Sequence, residues 1–199
     1  MKSLPKKLLP LTVFGIAVTS LFCVRTAQAY TLTLEQVGAD VVATGSGAFN
    51  LNGLNIFGSG NGIFPTIVAS IGQINTGPIG STPIDVYTGL TGPASFGSGG
   101  EFDASFGSGN FVVLAGTTGF LIVPQGYTSG TLLSSSATWT NTTLANLGVT
   151  PGTYEWTWGE GANQNFTLTI GSVPDGGSTV CLLGCALLCV VSLRRRLGC

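Results

Sequence analysis

Between Tyr30 and Gly171, apolar and polar positions alternate in short runs broken by Gly, Pro, Asn and Ser, and no stretch sustains a helical period. The runs that read as strands are 31–36, 40–44, 47–51, 67–74, 84–88, 110–115, 119–123, 130–140, 153–158 and 165–170. Their spacing predicts an all-β domain, an antiparallel β-sandwich of jelly-roll-like kind with about eight to ten strands. One helical turn is expected at 143–147, ahead of Pro151. Alternation is clearest near the end of the domain. Tyr154, Trp156 and Trp158 share one face with Glu155 and Thr157 on the other, and Phe166, Leu168 and Ile170 repeat the pattern across a Gly- and Asn-rich turn, which predicts a closing hairpin. The tetrad Phe-Gly-Ser-Gly begins at Phe57, Phe96 and Phe106; its uneven spacing argues against a solenoid and reads as recurring turn chemistry.

Outside this domain the pattern changes to two unbroken apolar runs. The first, 8–24, follows Lys2, Lys6 and Lys7 and is followed by Ala27-Gln28-Ala29. Basic start, apolar centre and small residues at the end are the three parts of a secretory signal peptide, so residues 1–29 are expected to form a signal peptide helix. Signal peptidase takes only small side chains at the positions of Ala27 and Ala29, which places the cut before Tyr30. Lipidation of Cys23 is set aside because Phe22, not a small residue, precedes it. The second apolar run, 180–193, lies between Val173-Pro174-Asp175-Gly176-Gly177-Ser178-Thr179 and Arg194-Arg195-Arg196. As a helix it would span about 21 Å, short of a hydrocarbon core of about 30 Å, which suits a temporary transmembrane anchor. The three arginines would act as a membrane stop and hold the C-terminus in the cytoplasm, leaving the body of the chain outside. Cys181, Cys185 and Cys189 share one face of that helix and read as small packing residues, since no His or paired spacing makes them metal ligands.

Composition sharpens this division into 1–29, 30–171 and 172–199. The chain has 199 residues, enough for one domain with a core, and only 8% are charged. Its net charge of -1 hides a segregation of sign: every Lys and Arg lies in a terminal segment. The acids Glu35, Asp40, Asp85, Glu101, Asp103, Glu155 and Glu160 stand in the domain without a single cationic side chain. Such a surface repels phosphate backbones, so nucleic acid is excluded as a partner. Cysteine is likewise confined to the ends, so the domain has no disulfide framework although export would permit one.

The three-part tail, Val173 to Cys199, resembles the PEP-CTERM class of sorting signals, and its VPDGGST wording is similar to the VPDSG-CTERM variant. The resemblance implies recognition and removal of the tail by a membrane-embedded exosortase, with Val173, Pro174, Asp175, Gly176, Gly177, Ser178 and Thr179 as the recognised residues. Pro174 and the two glycines fit that role physically, because they keep the segment extended and accessible. The stretches 31–54 and 147–171 also resemble segments of PEP-CTERM proteins of unassigned function, which implies a shared exterior domain and no particular activity. Within the second, LGVTPGTY is similar to the turn leading into a late strand of Ig-like sandwiches, where a Tyr hydroxyl bonds back to the preceding backbone.

The domain's chemistry is narrow. Without His, Cys, Lys or Arg it lacks the usual general bases, thiol nucleophiles and oxyanion clamps, and it lacks the imidazole and thiolate that hold zinc or copper; no cofactor and no metal is expected. Glu101 with Asp103, or Glu155 with Glu160, could serve a glycosidase, and Glu101 with Asp103 a calcium ion, but neither pair stands in a motif and both read as solvated loop acids. The sequons at Asn141 and Asn165 are what an Asn- and Thr-rich chain produces by chance. Trp139, Tyr154, Trp156 and Trp158 have two readings. Aromatic residues at period two are usually core, whereas solvent exposure of Trp156 and Trp158 in one plane would make a carbohydrate-stacking platform. The expectation is therefore a non-enzymatic protein passed through the Sec translocon, cut by signal peptidase, held transiently in the inner membrane and processed by exosortase. It would then work at the cell surface or in the extracellular matrix as a structural or adhesive element, with extracellular polysaccharide as a partner.

Overall fold

A computed structural model describes residues 28–171. The signal peptide helix, Ala27, the sorting motif Val173 to Thr179, the transmembrane helix and Arg194, Arg195 and Arg196 lie outside the described residues. Within them, strands are the only regular elements apart from a single 3-10 turn at Ala69–Ile71. In chain order the strands are β1 (Tyr30–Val37), β2 (Asp40–Gly47), β3 (Asn55–Gly62), β4 (Thr66–Val68), β5 (Gln73–Thr76), β6 (Thr82–Thr88), β7 (Glu101–Asp103), β8 (Phe106–Gly109), β9 (Val112–Ala115), β10 (Phe120–Pro124), β11 (Leu133–Trp139), β12 (Gly152–Thr157) and β13 (Asn165–Ile170).

They form two sheets, a six-stranded one in the order β12-β13-β1-β2-β11-β8 and a seven-stranded one in the order β3-β6-β10-β9-β5-β4-β7. Among the described strands, pairing is antiparallel in all but one pair. The first strand lies parallel to the last, from Tyr30 opposite Phe166 to Leu34 opposite Ile170. The antiparallel expectation is corrected there, and the reason is topological: β13 returns to the sheet from its far edge through the β12 hairpin and fills the free side of β1. The chain therefore enters and leaves at opposite ends of the same two neighbouring strands.

Alternation turns one face of each sheet inward. Tyr30, Leu32, Leu34, Phe166, Leu168 and Ile170 of the first sheet share one core with Ile67, Ile74, Leu114, Leu121 and Val123 of the second. Each fully buried aliphatic side chain of this kind stabilises the fold by about 1.5–3 kcal/mol relative to exposure. Many outward positions of the six-stranded sheet carry hydroxyls. Register aligns Thr153, Thr169, Thr33, Thr44, Ser136 and Ser108 in one row across it, β-prone residues that tolerate water.

Several expected boundaries change. The run 67–74 is interrupted at Gly72, where φ of 63° closes the 3-10 turn and separates β4 from β5. The run 47–51 is not a strand; Gly47 ends β2 and the chain passes into a loop. Two of the three Phe-Gly-Ser-Gly tetrads lie in strands, β3 and β8, and only the one at Phe96 is loop. The turn at 143–147 is present as one i to i+4 hydrogen bond, from Leu147 N–H to the Thr143 carbonyl at 3.0 Å.

Candidate functional site

The aromatic residues singled out by pattern are structural. Trp139, Trp156 and Trp158 are exposed by only 3%, 0% and 3%. Each indole N–H donates to a backbone carbonyl of a distant segment: Trp139 to Phe102 at 3.0 Å, Trp156 to Pro93 at 2.8 Å and Trp158 to Asn50 at 2.7 Å. The rings thus fasten those segments to the first sheet; Trp156 meets Phe96 and Phe166 edge-on, and Trp158 meets Phe49 at a tilt. A stacking platform needs rings that face water, so these residues do not supply one. Tyr154 is half-buried, and its hydroxyl donates to the Thr150 carbonyl at 3.0 Å, the back-bond expected of the turn that precedes it.

The acids fall in separate places. Glu155 lies on the outward face of β12 and accepts from the Asn165 amide at 2.8 Å, while Glu160 is exposed in the turn between β12 and β13. Asp85, which the sequence did not single out, is the most buried carboxylate among the described residues at 8% exposure. It accepts the Ser59 hydroxyl at 2.6 Å and the Gly126 N–H at 2.8 Å, and these two bonds hold its carboxyl below the usual range. It ties β3, β6 and the turn after β10 together. Glu101 and Asp103 stand two residues apart on the edge strand β7, both exposed and on one face.

That face belongs to an open groove, a cavity of about 490 Å³ on the outside of the seven-stranded sheet. Register builds it. One row across the sheet runs Phe120, Ala115, Gln73, Val68, Glu101, and the next carries Ile122, Val113 and Asn75, with Thr66 and Asp103 beyond. The segment after β3 folds over one side and brings Phe64 to the rim, half exposed at 50%. Beneath it Ile84, Phe111 and Val113 form a second small apolar cluster. Gly62 permits this closure, because a Cβ there would overlap the Phe111 ring. Phe57, placed by the irregularity between Ile56 and Gly58, rests its exposed ring 5.0 Å from that of Phe120.

The groove's polar groups are held in place. The Gln73 amide donates to the Asn75 side-chain carbonyl at 3.2 Å, and the Thr66 hydroxyl donates to Asp103 at 2.8 Å. Those bonds leave the Gln73 carbonyl, the Asn75 amide and one Asp103 oxygen directed at no protein partner. Among the described residues no three of His, Cys, Asp or Glu come together as a metal cluster. The sequence showed polar residues at alternate positions of 73–76 but not that β7, from nearly thirty residues on, would lie two strands away.

An all-β domain of two sheets, followed at once by a C-terminal tail, is the class of protein these features define. The tail specifies it further: residues 172–197 match the family model of the VPDSG-CTERM motif, a PEP-CTERM-type sorting signal consistent with an exosortase substrate. Such a signal implies export and processing by exosortase. Among curated proteins and among solved structures none matches the chain.

Proposed function

We propose that the chain is a non-enzymatic exported protein whose β-sandwich domain works at the cell surface or in the extracellular matrix as a structural or adhesive element. The sorting signal at 172–197, beginning two residues after β13 ends, carries this reading. In this reading the Sec translocon delivers the chain, signal peptidase cuts between Ala29 and Tyr30, the inner membrane holds it through residues 180–193 with Arg194, Arg195 and Arg196 inside, and exosortase acts near Val173 to Thr179. The sandwich description is supported by two sheets that share one core. The non-enzymatic part is supported by the absence of His, Cys, Lys and Arg from 30–171 and by acids that sit apart or in solvent.

Intact-mass measurement of the protein recovered from the cell surface or medium tests the reading. The expected product begins at Tyr30 and lacks the apolar tail. Recovery from the cytosol with both ends intact would refute it.

A further inference from the structure

We propose that the groove on the outer face of the seven-stranded sheet binds a neutral, hydroxyl-rich oligosaccharide segment. The inference deepens the adhesive reading by naming what the domain would adhere to. Three observations on the groove carry it.

The first is its charge. Glu101 and Asp103 line it and the described residues contain no cationic side chain, so phosphate, sulfate and uronate ligands meet only repulsion. The second is its mixture of surfaces. Phe64 and Phe120 present ring area beside the amides of Gln73 and Asn75. A pyranose needs that combination, because it has an apolar C–H face that packs on an aromatic ring and an equatorial rim of hydroxyls that both donate and accept. A purely apolar ligand would bury the amides and carboxylates unpaired, at a cost that disfavours it.

The third is preorganisation. Gln73 and Asn75 brace each other at 3.2 Å, and Thr66 braces Asp103 at 2.8 Å, so one acceptor on Gln73, one donor on Asn75 and one acceptor on Asp103 are fixed before any ligand arrives. Side chains on paired strands, already bonded to one another, lose little rotamer freedom on binding. The volume of about 490 Å³ lies in the range that encloses a small ligand or a short length of polymer. The outward hydroxyls of the six-stranded sheet lie on the other side of the shared core from this groove, and serve as the internal control.

The test is titration of the full chain, purified in a detergent without a sugar headgroup, with neutral glucan, mannan and galactan oligosaccharides and with uronate oligosaccharides for comparison. The expected result is saturable binding of at least one neutral series and none of the uronates. Phe64→Ala and Gln73→Ala should each weaken binding at least tenfold, with unchanged circular dichroism, and Thr167→Val on the opposite sheet should leave it within twofold. Absence of binding to every neutral series, a preference for uronates, or affinity untouched by both groove variants would overturn the proposal. Export is read separately: a chain found at the surface that binds none of these sugars ends this inference and leaves the proposed function standing. Sugar binding by a chain confined to the cytosol does the reverse.

Discussion

The hydroxyls of Tyr30 and Ser135 lie 2.5 Å apart inside the core, and Ser135 in turn lies 2.6 Å from the hydroxyl of Thr76. Tyr30 and Ser135 belong to the six-stranded sheet and Thr76 to the other, so this chain of hydroxyls is a polar bridge between sheets. To reach Ser135 the Tyr30 side chain crosses β2 at Gly45, where a Cβ would overlap its hydroxyl. A glycine in the middle of a strand is otherwise unfavourable, and this one is explained by close passage of a ring. Gly45→Ala should destabilise the domain by about 3 kcal/mol through overpacking. Tyr30→Phe should cost about 1 kcal/mol, because Ser135 and Thr76 still satisfy each other. Urea denaturation of both variants checks the order; equal costs would contradict it.

The same tyrosine makes the fold sensitive to alkali. Burial, opposed by its bonds to Ser135 and Thr76, pushes the Tyr30 hydroxyl up to about 12 from 10.0. The unfolded chain ionises first, so this contribution is complete below pH 10 and is lost as pH rises toward 12, by about 2–3 kcal/mol. Tyr127 shifts in the same direction, again chiefly through burial. Denaturation midpoints should fall across that window, and Tyr30→Phe should flatten the fall. An identical slope in the variant would rule out this assignment.

Asp85 gives the opposite sign. The Ser59 hydroxyl, and after it the Gly126 N–H, lower its pKa from 3.8. Its contribution is present above that value and disappears as pH falls through the lower folded one. Asp85→Ala should cost about 2 kcal/mol at pH 7 and lose its disadvantage in acid, with Ser59→Ala intermediate. Thermal melts at pH 7 and pH 3 distinguish this from simple loss of packing, which would persist at both.

If signal peptidase cuts between Ala29 and Tyr30, as proposed, the fold imposes an order on that step. Tyr30 is wholly buried, Ala29 bridges Ala48, and the Ala48 N–H donates to the Gln28 carbonyl at 2.9 Å. A protease needs the residues around its scissile bond extended in its own cleft, and here they are already taken up by Gly47 and Ala48. Precursor refolded before exposure to signal peptidase should resist cleavage after Ala29, whereas precursor held in urea and diluted into peptidase should be cut. Equal rates would show that β1 is not docked in the precursor.

What could be read from sequence was local. Tyr154, Trp156 and Trp158 alternate with Glu155 and Thr157, and that alternation became β12 with its hairpin partner β13. The back-bond of Tyr154 to Thr150 follows from a turn four residues long. β3 escaped because Asn55–Gly62 has no alternation of its own; its glycines are ordered by pairing with β6. β7 and β8 are three and four residues long and exist through their partners β4 and β11. The groove shares this dependence. Gln73 and Glu101 come into one row, on either side of Val68, only after β4 has paired on both sides, a long-range event that leaves no mark on composition.

Parallel pairing of β1 with β13 also decides how the domain bears load. Tension between a tail leaving at Ile170 and a body held elsewhere runs along β13, whose ladder is bonded to β1 on one side and β12 on the other. Both ladders would have to slide together, so the five paired positions from Tyr30 to Leu34 resist shear as a group and do not unzip singly. While a tail still follows Ile170, a pull on it would thereby be met by two ladders at once.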